Sequence, residues 1–402
     1  MICSRSLETR LLLVCVRTTT APQLIQRLVR RNLDWHDVII RAEHYGITPL
    51  LHFYLSKLAD KTSIPLYVME QVQSLTRWHL FRNMNFYREL REILSVFAER
   101  EIPVIVLKGA ALASLVYGDI TLRPMADIDL LVRRQDLDVV ERLLHILNYV
   151  PNEACFSQAW YRDHHHHLVP YVKHDRGFVL EIHHHISPPL LSEYLPVYDL
   201  WQRARPVQIA TLPTFMLAPE DLLLHLSLHL IDDILGRGMA KPRILGDIAE
   251  TIRQYQRELD WELLLRNAEI YAVEKYLYYA LWLSREMVAA EVKTQILCNL
   301  RSSIRGGLLE DIALKFIMQR AILRLHVETS PIPSWVIYDV CGILLSSGGK
   351  RNKIRAMLTM IQQRYSHSAL QVDVPVGISR SLYMRFIHPV YLLLRAVGRV
   401  FW

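Results

Sequence analysis

Two aspartates separated by one residue, Asp127 and Asp129, stand in the alternating run Asp127-Ile128-Asp129-Leu130. Successive side chains of an extended strand point to opposite faces, so the two carboxylates share one face while Ile128 and Leu130 take the other. Like charges roughly 6–7 Å apart along a strand repel unless a cation sits between them, and hard oxygen donors of this kind suit magnesium, which commonly also binds substrate phosphates. A solvated strand end can carry the same pattern. Upstream, Lys108-Gly109 closes the apolar run 104–107. A lysine beside a glycine at a strand-to-helix turn supplies a point charge, a close backbone approach and a helix N-terminus, which together favour a phosphate.

These residues need a strand, a glycine turn, a helix and a second strand to position them, and residues 104–132 read in that order. Downstream, Leu137, Val140, Leu143, Leu144 and Leu147 predict an amphipathic helix over 136–148 that covers the sheet. A hairpin is predicted next, with strands at 166–173 and 178–184 around the turn His174-Asp175-Arg176-Gly177. On its second strand Val179, Glu181, His183 and His185 alternate to one face.

The run LKGAALASLVYGDITLRPMADIDLLV resembles the signature of a bacterial family of uncharacterised nucleotidyltransferases, a branch of the DNA polymerase beta-like superfamily. The shared pattern is a glycine and a small residue on a short helix, then an Asp-x-Asp pair on the next strand. Here those positions are Gly109, Ala110, Asp127 and Asp129. Ala110 stands where the superfamily usually has glycine or serine, and the gap to Asp127 is longer than is typical. The resemblance covers most of residues 30–290. It implies transfer of a nucleoside monophosphate from a nucleoside triphosphate to a hydroxyl acceptor, with release of pyrophosphate. Asp127, Asp129 and Glu181 would act as catalytic carboxylates holding Mg2+, or Mn2+ in its place. Lys108, Gly109, Ala110 and Arg123 would contact the triphosphate. His183 matches a histidine two residues after the third carboxylate and would support that carboxylate or touch substrate. Arg123 can equally be a structural partner of Asp127 or Asp129.

The implied fold is α+β, a small mixed-sheet core flanked by helical regions. Four segments are expected: an N-terminal helical region at 1–97, the nucleotidyltransferase core at 98–190, a helical region packed on it at 191–300, and a basic helical extension at 301–402. With 402 residues, 51% of them hydrophobic, the chain can bury a large core. Asp34 is a good N-cap before Trp35, Val38, Ile39 and Ala42 at helical spacing, and Gly46 and Pro49 mark a break between two helices. A long helix is predicted over 66–99. The stretch beginning at Leu33 is echoed by one beginning at Leu259, with Asp, Trp, Ala, Glu and Tyr in equivalent places, which predicts two similar helical hairpins.

Five scattered cysteines without a Cys-x-x-Cys pair argue against a disulfide framework or a zinc-thiolate site and fit a reducing cytoplasm. No stretch reaches the roughly 20 apolar residues that span a bilayer. The net charge of +7 suits an anionic substrate or partner. Basic residues dominate after Asp339, beside Phe386, Tyr391, Phe401 and Trp402, a mixture that suits an anionic membrane, a polyanion or a helix with a basic face.

Histidines remain to be placed. The tracts 164–167 and 183–185 invite a zinc site, although consecutive strand residues face opposite ways. His225 and His229 fall four apart on a helix opened by Pro219-Glu220-Asp221 and read as packing, and Arg243 and Asp247 are expected to pair on a helix surface. The acceptor is unmarked: a small molecule, a protein hydroxyl and an RNA end all fit the same chemistry. Two other readings stay open, a silent nucleotide-binding module and a helical adaptor that docks through its basic C-terminus.

Overall fold

In the computed structural model, the described residues are 6–152, 157–173, 177–192, 194–237 and 240–304. Those up to 230 and from 241 onward belong to one compact unit, and residues 231–240 belong to a second. The basic C-terminal extension lies outside the described residues.

Helices α1 (Leu7–Cys15), α2 (Pro22–Val29), α3 (Trp35–Tyr45), α4 (Thr48–Lys57) and α5 (Leu66–Ala98) precede the first strand. The Asp34 carboxylate caps α3 by accepting from Asp37 N–H, and Gly46 ends it in the left-handed conformation at φ 65°. The strands are β1 (Ile105–Val106), β2 (Ile128–Leu131), β3 (Val150–Pro151), β4 (Tyr171–Lys173), β5 (Phe178–His183), β6 (Arg205–Ile209) and β7 (Leu212–Met216). They form one mixed sheet in the order β3-β4-β5-β2-β1-β7-β6. Helices α6 (Lys108–Ala111) and α7 (Leu137–Ile146) follow β1 and β2, and α8 (Gln158–His164), α9 (Pro189–Ser192) and α10 (Val197–Arg203) lie among the later strands. After the sheet come α11 (Pro219–Arg237), α12 (Pro242–Gln254), α13 (Trp261–Ile270), α14 (Glu274–Val288) and α15 (Thr294–Ser303). The expected α+β class, with helices flanking a mixed sheet, is what the chain adopts.

One face of the sheet packs on α5 and α7. Phe86, Leu90, Ile93 and Phe97 of α5 and Val140 and Leu144 of α7 share a core with Ile128, Leu130, Leu180 and Ile182. Each such side chain contributes roughly 1.5–3 kcal/mol by leaving water, so this core holds the long α5 in place. Because strand side chains alternate, Asp129, Glu181 and His183 face away from it.

The sheet continues past residue 190, where the sequence suggested only helix. β6 and β7 form a hairpin, and β7 runs parallel to β1 with Phe215 opposite Ile105. Its two-residue turn is Ala210-Thr211, both at positive φ (51° and 67°). Such turns normally carry Asn or Gly, and neither residue announces one.

The predicted hairpin exists with a shorter first arm. β4 and β5 pair antiparallel with Tyr171 opposite Leu180, while His167 makes only an isolated bridge to His183. Residues 165 and 166 form a bend directly after α8, and Pro170, which has no N–H to donate, precedes β4.

Among the described residues no helix is long and apolar enough to cross a membrane.

Candidate active site

β2 and β5 run side by side in parallel, with Asp129 opposite Glu181 and Leu131 opposite His183. This register brings together residues 52 apart in the chain. The Asp129 carbonyl also reaches the end of the first strand, accepting from Leu107 N–H at 3.0 Å. The next residue, Lys108, takes φ +40°, a left-handed conformation that costs a side-chain-bearing residue roughly 1 kcal/mol or more. It turns the chain from β1 into α6.

The Lys108 ammonium donates to Asp129 Oδ1 at 2.7 Å and lies 3.6 Å from Glu181 Oε2. His183 Nε2 lies 3.0 Å from the same Asp129 oxygen and 3.3 Å from Glu181 Oε2. Asp129 and His183 are fully buried, whereas the Glu181 side chain keeps 20% of its exposure. Asp129 Oδ2 and His183 Nδ1 are buried with no hydrogen-bond partner.

Burial opposes ionisation of Asp129, but Lys108 and His183 outweigh it and hold the carboxyl well below its usual range. Glu181 is likewise lowered, burial being offset by His183 and Lys108. Burial and Lys108 disfavour the charged form of His183, and the two carboxylates overcome them, so its pKa rises. Asp127 behaves differently. Burial and the neighbouring Asp129 push it up to about 6.

Asp129, Glu181 and His183 form a group whose ligand atoms lie mutually within 4.8 Å. Asp127, at the entrance to β2, stands outside that group while remaining electrostatically linked to Asp129, Lys108 and Glu181. His183 thus shares the carboxylates directly.

The glycine turn is tight. A Cβ on Gly109 would sit 2.8 Å from Arg123 Nη1 and 3.1 Å from Met125 Cγ. Ala110 turns its side chain into the core and its carbonyl accepts from the Tyr87 hydroxyl at 2.7 Å.

Arg123 is not placed in the pairing with an active-site aspartate that was expected as its structural role. Its guanidinium donates to Asp247 through Nε at 3.3 Å and Nη2 at 2.8 Å, and Nη1 donates to the Pro124 carbonyl at 3.2 Å. It pairs with neither Asp127 nor Asp129. Asp247 also accepts from the Tyr117 hydroxyl at 3.0 Å. The surface pair Arg243–Asp247 is therefore corrected: Asp247 is buried on Arg123, and Arg243 donates to the Pro124 carbonyl at 3.4 Å.

Asn83 of α5 was not singled out from the sequence. Its side-chain amide donates to the carbonyls of Ile120 (2.6 Å) and Arg123 (3.0 Å) and accepts from Met125 N–H (3.1 Å). Together Asn83 and Asp247 clamp the loop that delivers Asp127. The signal was an asparagine in the apolar stripe Val72, Thr76, His79, Asn83, Phe86, Leu90. His225 packs beneath the site and donates Nδ1–H to the Ile186 carbonyl at 2.9 Å, with its ring 6.4 Å from that of His229.

The model of the uncharacterised nucleotidyltransferase family matches residues 31–289. The chain belongs to this family. The matched segment takes in α3 through α14 and so includes every residue of the site, along with Asn83 and Asp247. No curated protein and no solved structure matches the chain. As a nucleotidyltransferase it is assigned to nucleotidyl transfer in general, and its acidic group is a possible metal site.

Proposed function

We propose that the chain transfers a nucleoside monophosphate from a nucleoside triphosphate to a hydroxyl acceptor and releases pyrophosphate, with Asp127, Asp129 and Glu181 as the catalytic carboxylates. The observation that carries this is the Asp129–Glu181 register, with Asp129 Oδ2 buried and unpartnered beside a second carboxylate. A buried carboxylate oxygen without a donor is unfavourable, and adjacent hard oxygen donors fit Mg2+ or Mn2+. Asp127, Asp129 and Glu181 would hold the ion. When bound, it would stabilise charge on the phosphate oxygens of an in-line displacement.

The protein's own groups divide the remaining work. Lys108 holds a permanent positive charge at the turn into α6, where a triphosphate oxygen can meet it and the backbone of Gly109. Glu181, ionised and the more open of the paired carboxylates, takes the proton from the attacking hydroxyl. His183, buried against both carboxylates, keeps them oriented. Arg123 acts at one remove, through the loop that carries Asp127.

The test is turnover of each ribonucleoside triphosphate with Mg2+, following pyrophosphate release and labelled product, with a cell extract supplying acceptor. The wild type should turn over and an Asp127→Ala, Asp129→Ala double variant should not. Turnover by both would overturn the assignment of the carboxylates.

A second reading, a silent nucleotide-binding module, draws on one observation: Lys108 and His183 both already engage Asp129 Oδ1. Metal-dependent nucleotide binding without any pyrophosphate release would select it. Acceptor class and base preference are left to the labelled product.

A further inference from the structure

The histidine tract is absorbed by neither the fold nor the carboxylate site. His165, His166 and His167 are consecutive, and on a regular strand their rings would diverge. The bend after α8 gathers them instead. Ring centroids are 4.4 Å apart for His165 and His166, 4.2 Å for His165 and His167, and 4.6 Å for His166 and His167. Each offers one ring nitrogen, and the three nitrogens lie within 4.8 Å of one another.

The backbone fixes this arrangement. The His166 carbonyl accepts from both His184 N–H (3.0 Å) and His185 N–H (3.1 Å), and His167 bridges to His183. Hydrogen bonding also selects the tautomer of His167: Nδ1–H donates to the Leu168 carbonyl at 2.6 Å, leaving the Nε2 lone pair free to act as a ligand. His165 Nδ1 and His166 Nδ1 are buried without any partner. Two buried imidazole nitrogens without partners, set beside the open Nε2 lone pair of a third ring, make an unfavourable arrangement unless something accepts their lone pairs.

We propose that His165, His166 and His167 form a second cation site, selective for a nitrogen-preferring divalent ion of the zinc class and separate from the carboxylate site. The donor set distinguishes the two. Imidazole suits zinc, cobalt and nickel, whereas carboxylates and water suit magnesium and manganese. Zinc–nitrogen bonds of roughly 2.0–2.1 Å in tetrahedral geometry place ligand nitrogens roughly 3.4 Å apart, so modest ring rotations close the site around an ion. Three protein ligands leave the fourth position to water or to a substrate oxygen. The rings of His166 and His167 lie 5.3 Å and 5.2 Å from that of His183, which puts the bound ion next to the carboxylates. The proposal does not depend on nucleotidyl transfer, and its test reads metal rather than turnover.

Full-length protein is stripped with chelator, returned to millimolar Mg2+, and titrated with Co2+ and then Zn2+. The expected result is one equivalent of Co2+ that gives the intense visible bands of a four-coordinate site, is unaffected by Mg2+, and is displaced by Zn2+. Loss of outer-shell partners alone weakens a metal site by about 10–100-fold, so a His165→Gln, His167→Gln double variant should bind more than about a hundredfold more weakly. An Asp129→Asn, Glu181→Gln double variant should keep the bands. Weak six-coordinate bands in the wild type, displacement of Co2+ by Mg2+, or loss of the bands only in the carboxylate variant would each overturn the proposal. The wild-type spectrum needs no variant to fold, and circular dichroism verifies that the histidine variant does.

Discussion

Arg123 and Asp247, 124 residues apart in the chain, form a two-pronged buried ion pair that ties the loop entering β2 to helix α12. Both side chains are buried. Removing one partner of a buried pair strands the other charge, at a cost of roughly 3–5 kcal/mol. Asp247→Ala should therefore lower the melting temperature sharply. Arg123→Lys, which keeps the charge but not the fork, should fall between it and the wild type. Thermal melts of the two variants check this ordering. Equal stability of Asp247→Ala and the wild type would mean that the pair does not anchor the loop.

Asn83 supports the same loop by three hydrogen bonds. Asn83→Ala leaves two carbonyls and an N–H without these partners, at roughly 1–3 kcal/mol for each group that stays unsatisfied. The expected outcome is a lower denaturation midpoint, together with faster amide exchange at Met125. Unchanged exchange there would show that Asn83 does not hold the segment.

Asp127 makes stability depend on pH. Its folded pKa is raised from 3.8 to about 6, so the folded state holds this proton more tightly than the unfolded chain does. The resulting stability is fully present below the unfolded value and is lost as pH rises through about 6. Asp127→Asn should consequently stabilise the metal-free protein at about pH 8 and have little effect at about pH 4. Melting curves in chelator at the two pH values test the sign. A variant less stable than the wild type at the higher pH would refute it.

The histidines act in the opposite sense. Burial lowers His165 and His225 from 6.5 to about 3, and His167 and His184 to about 4. Their folded values are depressed, so the unfolded chain binds protons first. The stability they contribute is full above about pH 6.5 and is lost as pH falls through about 4 for His167 and His184 and about 3 for His165 and His225. Over this range four such groups outweigh the groups raised in the fold, Asp127, Asp221 and His183. Chelated protein should melt at progressively lower temperature between these limits, and a flat profile would contradict the neutral buried state.

Ala272 offers a stabilising change. It holds φ 53° at the end of α13, the position that Gly46 holds at 65° after α3. The wrapping bonds match as well: Ile47 N–H to the Ala42 carbonyl and Val273 N–H to the Ala268 carbonyl, each at 2.9 Å. A left-handed conformation costs a side-chain-bearing residue roughly 1–2 kcal/mol, part of which returns through the freer unfolded chain that glycine brings. Ala272→Gly should raise the melting temperature by a few degrees, and a decrease would show that the Ala272 methyl contributes more than its backbone strain costs.

Local patterns were readable from the chain. Asp34 and Gly46 delimited α3 because capping and left-handed termination depend on single residues. The alternation in β2 and β5 put Asp129, Glu181 and His183 on the correct faces because the strand period is a property of the backbone. Long-range pairing was not readable. Arg123 had acidic candidates nearby at Asp127 and Asp129, and nothing local marks Asp247 as its partner. The β6–β7 hairpin is unmarked in the sequence because Ala210-Thr211 lacks the usual turn residues. Consecutive histidines diverge on a regular strand, and no local residue marks the bend at 165 and 166 that replaces the strand directly after α8.

Residues 112–116 wind as a π-helical turn between α6 and the loop that carries Arg123. Such a turn holds one more residue than an α-helical turn, so it works as a spacer that also rotates whatever follows. Tyr117 comes immediately after it and reaches Asp247. Shortening this segment by one residue would let the helix run on smoothly, yet it would swing Tyr117 roughly 100° about the axis and detach it from α12. The irregular winding therefore sets the phase between the phosphate-facing turn at Lys108 and the clamp on the aspartate loop.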